Sequence, residues 1–397
     1  MKFLHLADLH LGKEVREIRM TDDQRDFLMN TVLPVVDERK VDAVVIAGDV
    51  YDQSVPEENA VTLFSDFLAA LAERGVETLI INGNHDSAKR LAFAQSLLAF
   101  AHVHIVSRCT GALESFTMND EHGPVNFYFL PFFHRVDIAS IYKEEKIATI
   151  EDAVAAVLAR APINTAERNV IIAHLFVTAG GVEPEKAGSE RISESLGTIE
   201  RVPSSLFDDF DYVALGHIHR AQKVGRETCR YAGSPLRYSL GEVEALDGVP
   251  YAKTMALVTM GAKGDISVEK IPIKPTHEMI HYTDTFDNII ARGQKIIDDD
   301  PASEPSKDYI YATLTDKDTV INAMSRLRRV YPNAMSLRYA PRGRAKETAT
   351  SLSVEAKRTF EEIIDDFYRE KHDKDDKMSD EEFKILYDAA REAGIIE

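Results

Sequence analysis

Thr78–Leu79–Ile80–Ile81–Asn82–Gly83–Asn84–His85–Asp86–Ser87 is the stretch that decides how this chain is read. A short apolar, partly β-branched run predicts a buried strand, and it stops abruptly at a turn-forming Asn-Gly followed by polar donors. The same pattern recurs four times in the first 220 residues. Phe3–Ala7 runs into Asp8–Leu9–His10, and Ala43–Ala47 into Gly48–Asp49. Val170–Ala173 meets His174, and Tyr212–Leu215 meets Gly216–His217–Ile218–His219. Ligands of open α/β sheets collect beyond the carboxyl ends of the strands, so the five pieces are expected to converge in space. Each piece alone has a bland reading as a turn, a cap or a core histidine. Their joint occurrence points to a metal centre. Asp, His and Asn supply O and N donors without a soft thiolate, which suits Mn²⁺, Fe²⁺ or Zn²⁺. Seven donors exceed one ion's needs and suit two ions sharing a carboxylate.

Working outward, the first 260 residues alternate strand and helix patterns. Thr21 with Gln24 predicts a capping box ahead of Phe27, Leu28 and Val32. A second helix is expected over about 57–74, with Pro56 near its start and Gly75 as its stop. Such alternation predicts an α/β sheet system covered by helices. After Pro272 and Pro275 the pattern reads β-α-β-α-β: Glu278–Tyr282, a helix near Phe286–Ile297, Asp308–Thr315, a helix near Thr319–Val330, and Ala334–Ala340. Two amphipathic helices follow, one carrying Phe360, Ile363, Ile364 and Phe367, the other Phe383, Leu386, Tyr387 and Ala390.

The 397 residues carry a formal net charge of −19, a poor first sign for a nucleic-acid binder. The average hides a basic island. Residues 320–347 hold seven basic residues (Arg326, Arg328, Arg329, Arg338, Arg342, Arg344 and Lys346) against one acidic, while 348–397 hold eight against fifteen. Cys109 and Cys229 are the two cysteines and form no CxxC, which fits a reducing cytoplasm and excludes a cysteine-built zinc site. No signal peptide or membrane-length apolar run is visible, so a cytoplasmic protein is expected.

The order D-x-H, G-D, G-N-H-D, H, G-H-x-H resembles the calcineurin-like metallophosphoesterase superfamily. Within it, His5–Gly12, Ala47–Asp52, Asn84–Ser87, Leu215–Gln222 and Tyr231–Pro235 resemble the SbcD family of bacterial nuclease subunits. That resemblance covers essentially the whole chain and carries a set of expectations. The fold would be an α/β metallophosphoesterase β-sandwich flanked by helices over 1–272. A small α+β capping domain contacting DNA would follow over 273–341, then a linker and helical docking segment over 342–397. The two cofactor ions would be divalent, Mn²⁺ first, with Fe²⁺ or Zn²⁺ as alternatives, and no nucleotide would bind this chain. Asp8, His10, Asp49 and His219 would hold one ion, and Asp49 would bridge to a second held by Asn84, His174 and His217.

The resemblance further implies that a metal-activated water attacks the phosphodiester. His85 would assist at the phosphate, oriented by the Asp52 carboxylate; the plainer reading of Asp52 is a cap on the Pro56 helix. Asp86 would support the site or cap a helix starting at Ser87. The remaining histidines, His5, His102, His104, His122, His134, His277, His281 and His372, are expected to lie outside the ligand set. Arg326, Arg328, Arg329, Arg338, Arg342 and Arg344 would meet DNA phosphates. The implied partners are the coiled-coil ATPase SbcC, docked by the C-terminal helices, single- and double-stranded DNA with ends and hairpins, and a second copy of the chain. A nucleoid-associated setting follows from these partners. The rival readings are a phosphatase or cyclic-nucleotide phosphodiesterase of the same superfamily, and a non-catalytic scaffold. Protein phosphatases usually carry Gly-Asn-His-Glu and an arginine after the second motif, where this chain has Asp86 and Gln53.

Overall fold

Two six-stranded sheets stack face to face in a computed structural model that describes residues 1–190, 194–195, 198–243, 252–299 and 307–340, together with Phe383 and Tyr387. In chain order the strands of the first sheet are β1 (Lys2–Leu6), β2 (Ala43–Ala47), β3 (Glu77–Ile81), β4 (Val103–Val106), β11 (Thr254–Met260) and β12 (Ile266–Pro272). They lie in the order β12-β11-β1-β2-β3-β4, parallel from β1 to β4 and antiparallel at the β11–β12 side. The second sheet contains β5 (Glu114–Asp120), β6 (Gly123–Leu130), β7 (Arg168–His174), β8 (Tyr212–Gly216), β9 (Gln222–Val224) and β10 (Arg226–Tyr231), ordered β9-β10-β8-β7-β6-β5.

Why this stack forms is visible in β1. Phe3 points into the layer between the sheets with Val45, Leu79, Phe127, Val170 and Tyr212. Leu4 and Leu6, on the opposite face, pack under the helices of the first sheet with Phe27, Leu63 and Phe67. A strand buried on both faces needs apolar residues at consecutive positions, which is why these runs read as continuous rather than alternating. His5 shares the inner face. Its Nδ1 lies 3.0 Å from the Tyr212 hydroxyl, so it is a core histidine, as expected.

Helix α1 opens at Thr21–Asp26, passes through a π-helical stretch, Phe27–Val32, and closes at Leu33–Arg39. The expected capping box at Thr21 does not form: the residue before the helix is Met20, and no side chain caps it. The Gln24 side chain is instead buried and turned toward the loop after β1. Helix α2 spans Glu58–Glu73, close to expectation, and buries Ala60, Leu63, Phe64, Phe67 and Leu71 on one face. Asp52 does not cap it; Glu57 occupies that position without a side-chain hydrogen bond. On the second sheet, α3 (Ile150–Leu158) begins with a capping box between Thr149 and Asp152 and buries Val154 and Val157.

The β-α-β-α-β unit is present as β13 (Met279–Asp284), α4 (Phe286–Asp299), β14 (Tyr309–Leu314), α5 (Ala323–Val330) and β15 (Ala334–Tyr339), with a parallel three-stranded sheet. It has its own core of Phe286, Ile289, Ile310, Leu314, Leu327 and Tyr331. It also packs on the sandwich: Met279, Tyr309 and Met335 meet Met20, Leu236 and Tyr238. Buried Asp23 of α1 anchors this seam, with His277 Nδ1 2.7 Å from its carboxylate and the Tyr309 hydroxyl donating to it. Residues Met1–Ala340 thus form one compact unit. Arg342, Arg344, His372 and the expected C-terminal helices lie outside the described residues, apart from helical Phe383 and Tyr387. Among the described residues, no helix is long and apolar enough to cross a membrane.

Candidate metal centre

The five sequence pieces meet at one end of the sandwich. Beyond β1 and β2 the chain continues the parallel pairing after both strands end. Asp8 N donates to the Gly48 carbonyl at 3.0 Å, His10 N to Asp49 O at 3.0 Å and Leu11 N to Val50 O at 2.9 Å. These bonds force a tight path: Asp8, His10 and Asp49 all take positive φ, at 52°, 46° and 50°, and His217 does so at 101°. Positive φ is sparsely populated for residues with a Cβ, and such strain clusters at functional sites. Glycines supply the clearance. A Cβ on Gly83 would collide with the Asp49 carboxylate, and one on Gly216 with the Ala47 carbonyl.

The side chains fall into two groups around Asp49. In the first, His10 Nε2 and His219 Nε2 face each other at 3.0 Å, and Asp8, His10 and His219 offer donor atoms within reach of one ion. In the second, Asn84 Oδ1 lies 3.0 Å from both His174 Nε2 and His217 Nδ1. Asp49 Oδ2 sits between the groups, 3.6 Å from His10 Nε2 and 3.4 Å from His174 Nε2. All seven residues expected as ligands therefore come together. Among the described residues, seven of the eight histidines set aside above do not join them; His372 lies outside the described residues.

Electrostatics prepares the cluster for cations. Burial lowers the pKa of His10, takes His217 down to about 3 and holds His219 well below the usual range, so these imidazoles are neutral and keep a lone pair. Burial also opposes protonation of His174, yet Asp49 and Asp8 together raise it to about 9. Asp49 is buried too, but the neighbouring His174 charge keeps it well below the ordinary carboxylate range. Burial pushes Asp8 up to about 8. Asp8 Oδ2 is buried with no hydrogen-bond partner. An orphaned acceptor of this kind is rare in a folded interior, and here it fits a divalent cation.

His85 stands beside this cluster, its ring 4.7 Å from that of His10 and edge-on to it. Residue 52 does hold His85, but through its backbone: the Asp52 carbonyl lies 2.8 Å from His85 Nδ1. The expected orientation by the Asp52 carboxylate is thereby corrected. That carboxylate is drawn to the Lys13 ammonium at 2.7 Å and stands 3.4 Å from His10 Nδ1, and with these partners its pKa falls to about 2 despite burial. Asp86 does not cap a helix either, since Ser87 precedes the short Ala88–Leu91 turn. Its carboxylate accepts from the amides of Val50, Tyr51 and Gly83 at 3.1, 2.9 and 2.9 Å, tying the second motif to the third.

Residues outside the motifs brace the same loops. Gln24 Nε2 donates to His10 O at 2.7 Å, and its Oε1 accepts from Gly12 N at 3.0 Å. The Tyr238 hydroxyl donates to Leu9 O at 2.7 Å. The Glu190 carboxylate accepts from His219 N at 3.1 Å. None stands out in the sequence as a site residue: Gln24 carries only the spacing of a capping box, and a buried Tyr or a loop Glu carries no spacing signal.

The model of the calcineurin-like phosphoesterase family matches residues 1–221, more than half of the chain. The chain belongs to this family. Outside the phosphoesterase match, a second model, described as the type 5 capsule protein repressor C-terminal domain, matches residues 275–372 and so begins just ahead of β13. This phosphoesterase is also 28% identical over 375 residues to a Staphylococcus saprophyticus protein named as the SbcD subunit of the nuclease SbcCD, covering 93% of this chain and 92% of that one. A Staphylococcus epidermidis protein of the same name is 27% identical over 340 residues, or 85% of each chain.

Proposed function

We propose that this chain is the nuclease subunit of an SbcCD-type complex: a two-metal-dependent DNA exonuclease and endonuclease that processes ends and hairpins. The observation that carries the reading is Asp49 Oδ2 lying 3.4–3.6 Å from a histidine nitrogen of each donor group, the position a bridging carboxylate needs. Asp8, His10, Asp49 and His219 would hold one ion, and Asp49, Asn84, His174 and His217 the other; this mixed carboxylate and imidazole set suits Mn²⁺, the first choice here, and equally Fe²⁺ or Zn²⁺. When bound, two such ions supply Lewis-acid polarisation of the phosphodiester and a water nucleophile at neutral pH.

The rest is the work of the chain's own residues. The Asp52 carbonyl accepts only, so His85 keeps a proton on Nδ1, and in its doubly protonated form Nε2 faces outward to give its own proton to the leaving oxygen. The Asp52 carboxylate holds Lys13 beside the site. On the capping unit, Arg326, Arg328, Arg329 and Arg338 are all exposed and available to backbone phosphates. Names of the relatives support an SbcC-type ATPase as partner. For the second copy of the chain we favour the apolar face of Val61, Phe93, Leu97 and Phe100, where Phe93 is 80% and Phe100 89% exposed beside a groove of about 500 Å³.

The test is a Mn²⁺-dependent assay on duplex, hairpin and single-stranded DNA, with a phosphopeptide and a cyclic nucleotide as controls. DNA cutting is expected; hydrolysis confined to the controls would favour a phosphatase or cyclic-nucleotide enzyme. His85→Ala should lower cutting by about 10²- to 10⁴-fold while both ions still bind. Loss of metal from that variant would show His85 to be a ligand.

A further inference from the structure

Beneath His219 lies a buried ion pair that the reaction described above does not use. Glu242, fully buried in the turn Leu240–Glu242, pairs with Lys253, which is 5% exposed just ahead of β11. Lys253 Nζ also donates to the His219 carbonyl at 3.1 Å and to Ser234 Oγ at 2.7 Å. Glu242 Oε1 accepts from Tyr238 N at 2.8 Å and from the Ser189 hydroxyl at 3.0 Å, and Ser189 Oγ lies 2.7 Å from His219 Nδ1. Ser189, Glu242 and Lys253 thus converge on one histidine.

The directions of these bonds are determined. A carboxylate facing an ammonium and a backbone amide is an acceptor, so Ser189 spends its single proton on Glu242. The serine oxygen then has only lone pairs for His219, and Nδ1 must carry the ring proton. His219 Nε2, which faces His10 Nε2, is left unprotonated and free to bind a cation. We propose that Lys253, Glu242 and Ser189 form a positioning relay that fixes the tautomer and ring orientation of His219, and so sets the affinity of the Asp8–His10–His219 half of the centre without touching the Asn84–His174–His217 half. The proposal rests on the two-ion reading above, but it is separable from the nuclease activity.

Three forms of the full chain test it: wild type, Ser189→Ala and Ser189→Thr. Ser189 is only partly buried and lies in a loop, so both substitutions leave the core intact. Mn²⁺ titration by calorimetry reads the two sites, and long-range ¹⁵N–¹H spectra of histidine-labelled metal-free protein read the tautomer. Wild-type His219 should be protonated at Nδ1. Ser189→Ala should weaken one of two Mn²⁺ sites by about 10- to 100-fold and mix the His219 tautomers, and Ser189→Thr, which keeps the hydroxyl, should restore both. Wild-type His219 protonated at Nε2, or Ser189→Ala binding both ions as tightly as wild type, overturns the relay. Wild type that binds fewer than two Mn²⁺ ions overturns the two-ion reading, and the tautomer still decides the relay. Failure to cut DNA with both ions bound would instead overturn only the nuclease reading.

Discussion

Gln24 offers a sharp test of how the metal-bearing loop is held, because it ligates nothing and sits outside every motif. It is 1% exposed, and its amide is fully used: Nε2 to His10 O at 2.7 Å and Tyr238 Oη at 3.1 Å, Oε1 from Gly12 N at 3.0 Å. Gln24→Ala leaves the Gly12 amide and the His10 carbonyl without these partners. Each unsatisfied buried group costs about 1–3 kcal/mol, so a loss of roughly 2–6 kcal/mol of stability is expected. The Leu9 carbonyl keeps the Tyr238 hydroxyl and adds little to this sum. Because the released loop carries Asp8 and His10 at positive φ, it should relax away from the ligand geometry. Mn²⁺ affinity should then fall by about 10- to 100-fold. Gln24→Glu is the decisive companion. It preserves shape and the acceptor for Gly12, but it turns a carboxylate oxygen toward the His10 carbonyl, acceptor against acceptor. The near-isosteric variant should therefore be at least as damaging as alanine. Urea unfolding followed by circular dichroism gives the stability, and calorimetry gives the affinity. A Gln24→Glu protein with wild-type Mn²⁺ binding would refute the reasoning outright, as would a Gln24→Ala protein that loses stability yet binds Mn²⁺ normally.

Two further outcomes follow from other parts of the molecule. If α5 meets DNA phosphates, replacing Arg326 and Arg329 with Ala should reduce the salt dependence of duplex affinity by about 0.9 per lost contact, roughly 2 in all, with no change in metal binding; an unchanged slope would remove the helix from the interface. His5 titrates at 6.5 unfolded, while burial, with the Arg230 charge, holds it near 3 in the fold. Neutral His5 therefore leaves stability intact above pH 6.5, and stability is lost as pH falls from there toward 3, because the unfolded chain takes up the proton first. At pH 5 that loss is about 2 kcal/mol, and His5→Gln should not show it. Equal pH dependence of the two proteins between pH 7 and 5 would sink the assignment.

The centre was legible because ligand chemistry writes itself at strand ends. Asp8, His10, Asp49, Asn84, His174, His217 and His219 are residue types that interrupt apolar runs, and the β-sheet brings those interruptions together. The β-α-β-α-β unit was legible for a similar reason, since hydrophobic periodicity switches between strand and helix over 278–340; most bounds shifted slightly, and the start of α5 moved furthest, from Thr319 to Ala323, behind Asn322 in a left-handed conformation. Supporting contacts left no such trace. Thr21 and Gln24 have the spacing of a capping box, yet tertiary packing claims the glutamine for the loop of another element. Asp52 was recognised by its side chain, but a backbone carbonyl does the holding, and any residue supplies one. Ser189, Glu242 and Lys253 are scattered over two stretches of loop, and only the fold gives them a common target.

The strain in the site explains why so much bracing surrounds so few ligands. Four ligand-set residues, Asp8, His10, Asp49 and His217, have positive φ. Aspartate and histidine tolerate this conformation better than most residues, which favours the lower end of about 1–3 kcal/mol for each. Even so, the total is about 4 kcal/mol or more, a substantial part of the roughly 5–15 kcal/mol that stabilises an ordinary domain. A loop held only by its own ligands would escape to relaxed dihedrals whenever the cations left. The Asp86 carboxylate on three amides, Gln24 on the first motif, and Glu190 with Lys253 on the fifth all grip backbone. They therefore hold the strained geometry in the metal-free chain as well. Binding then needs little reorganisation, and the free energy of coordination goes to affinity rather than to folding the site.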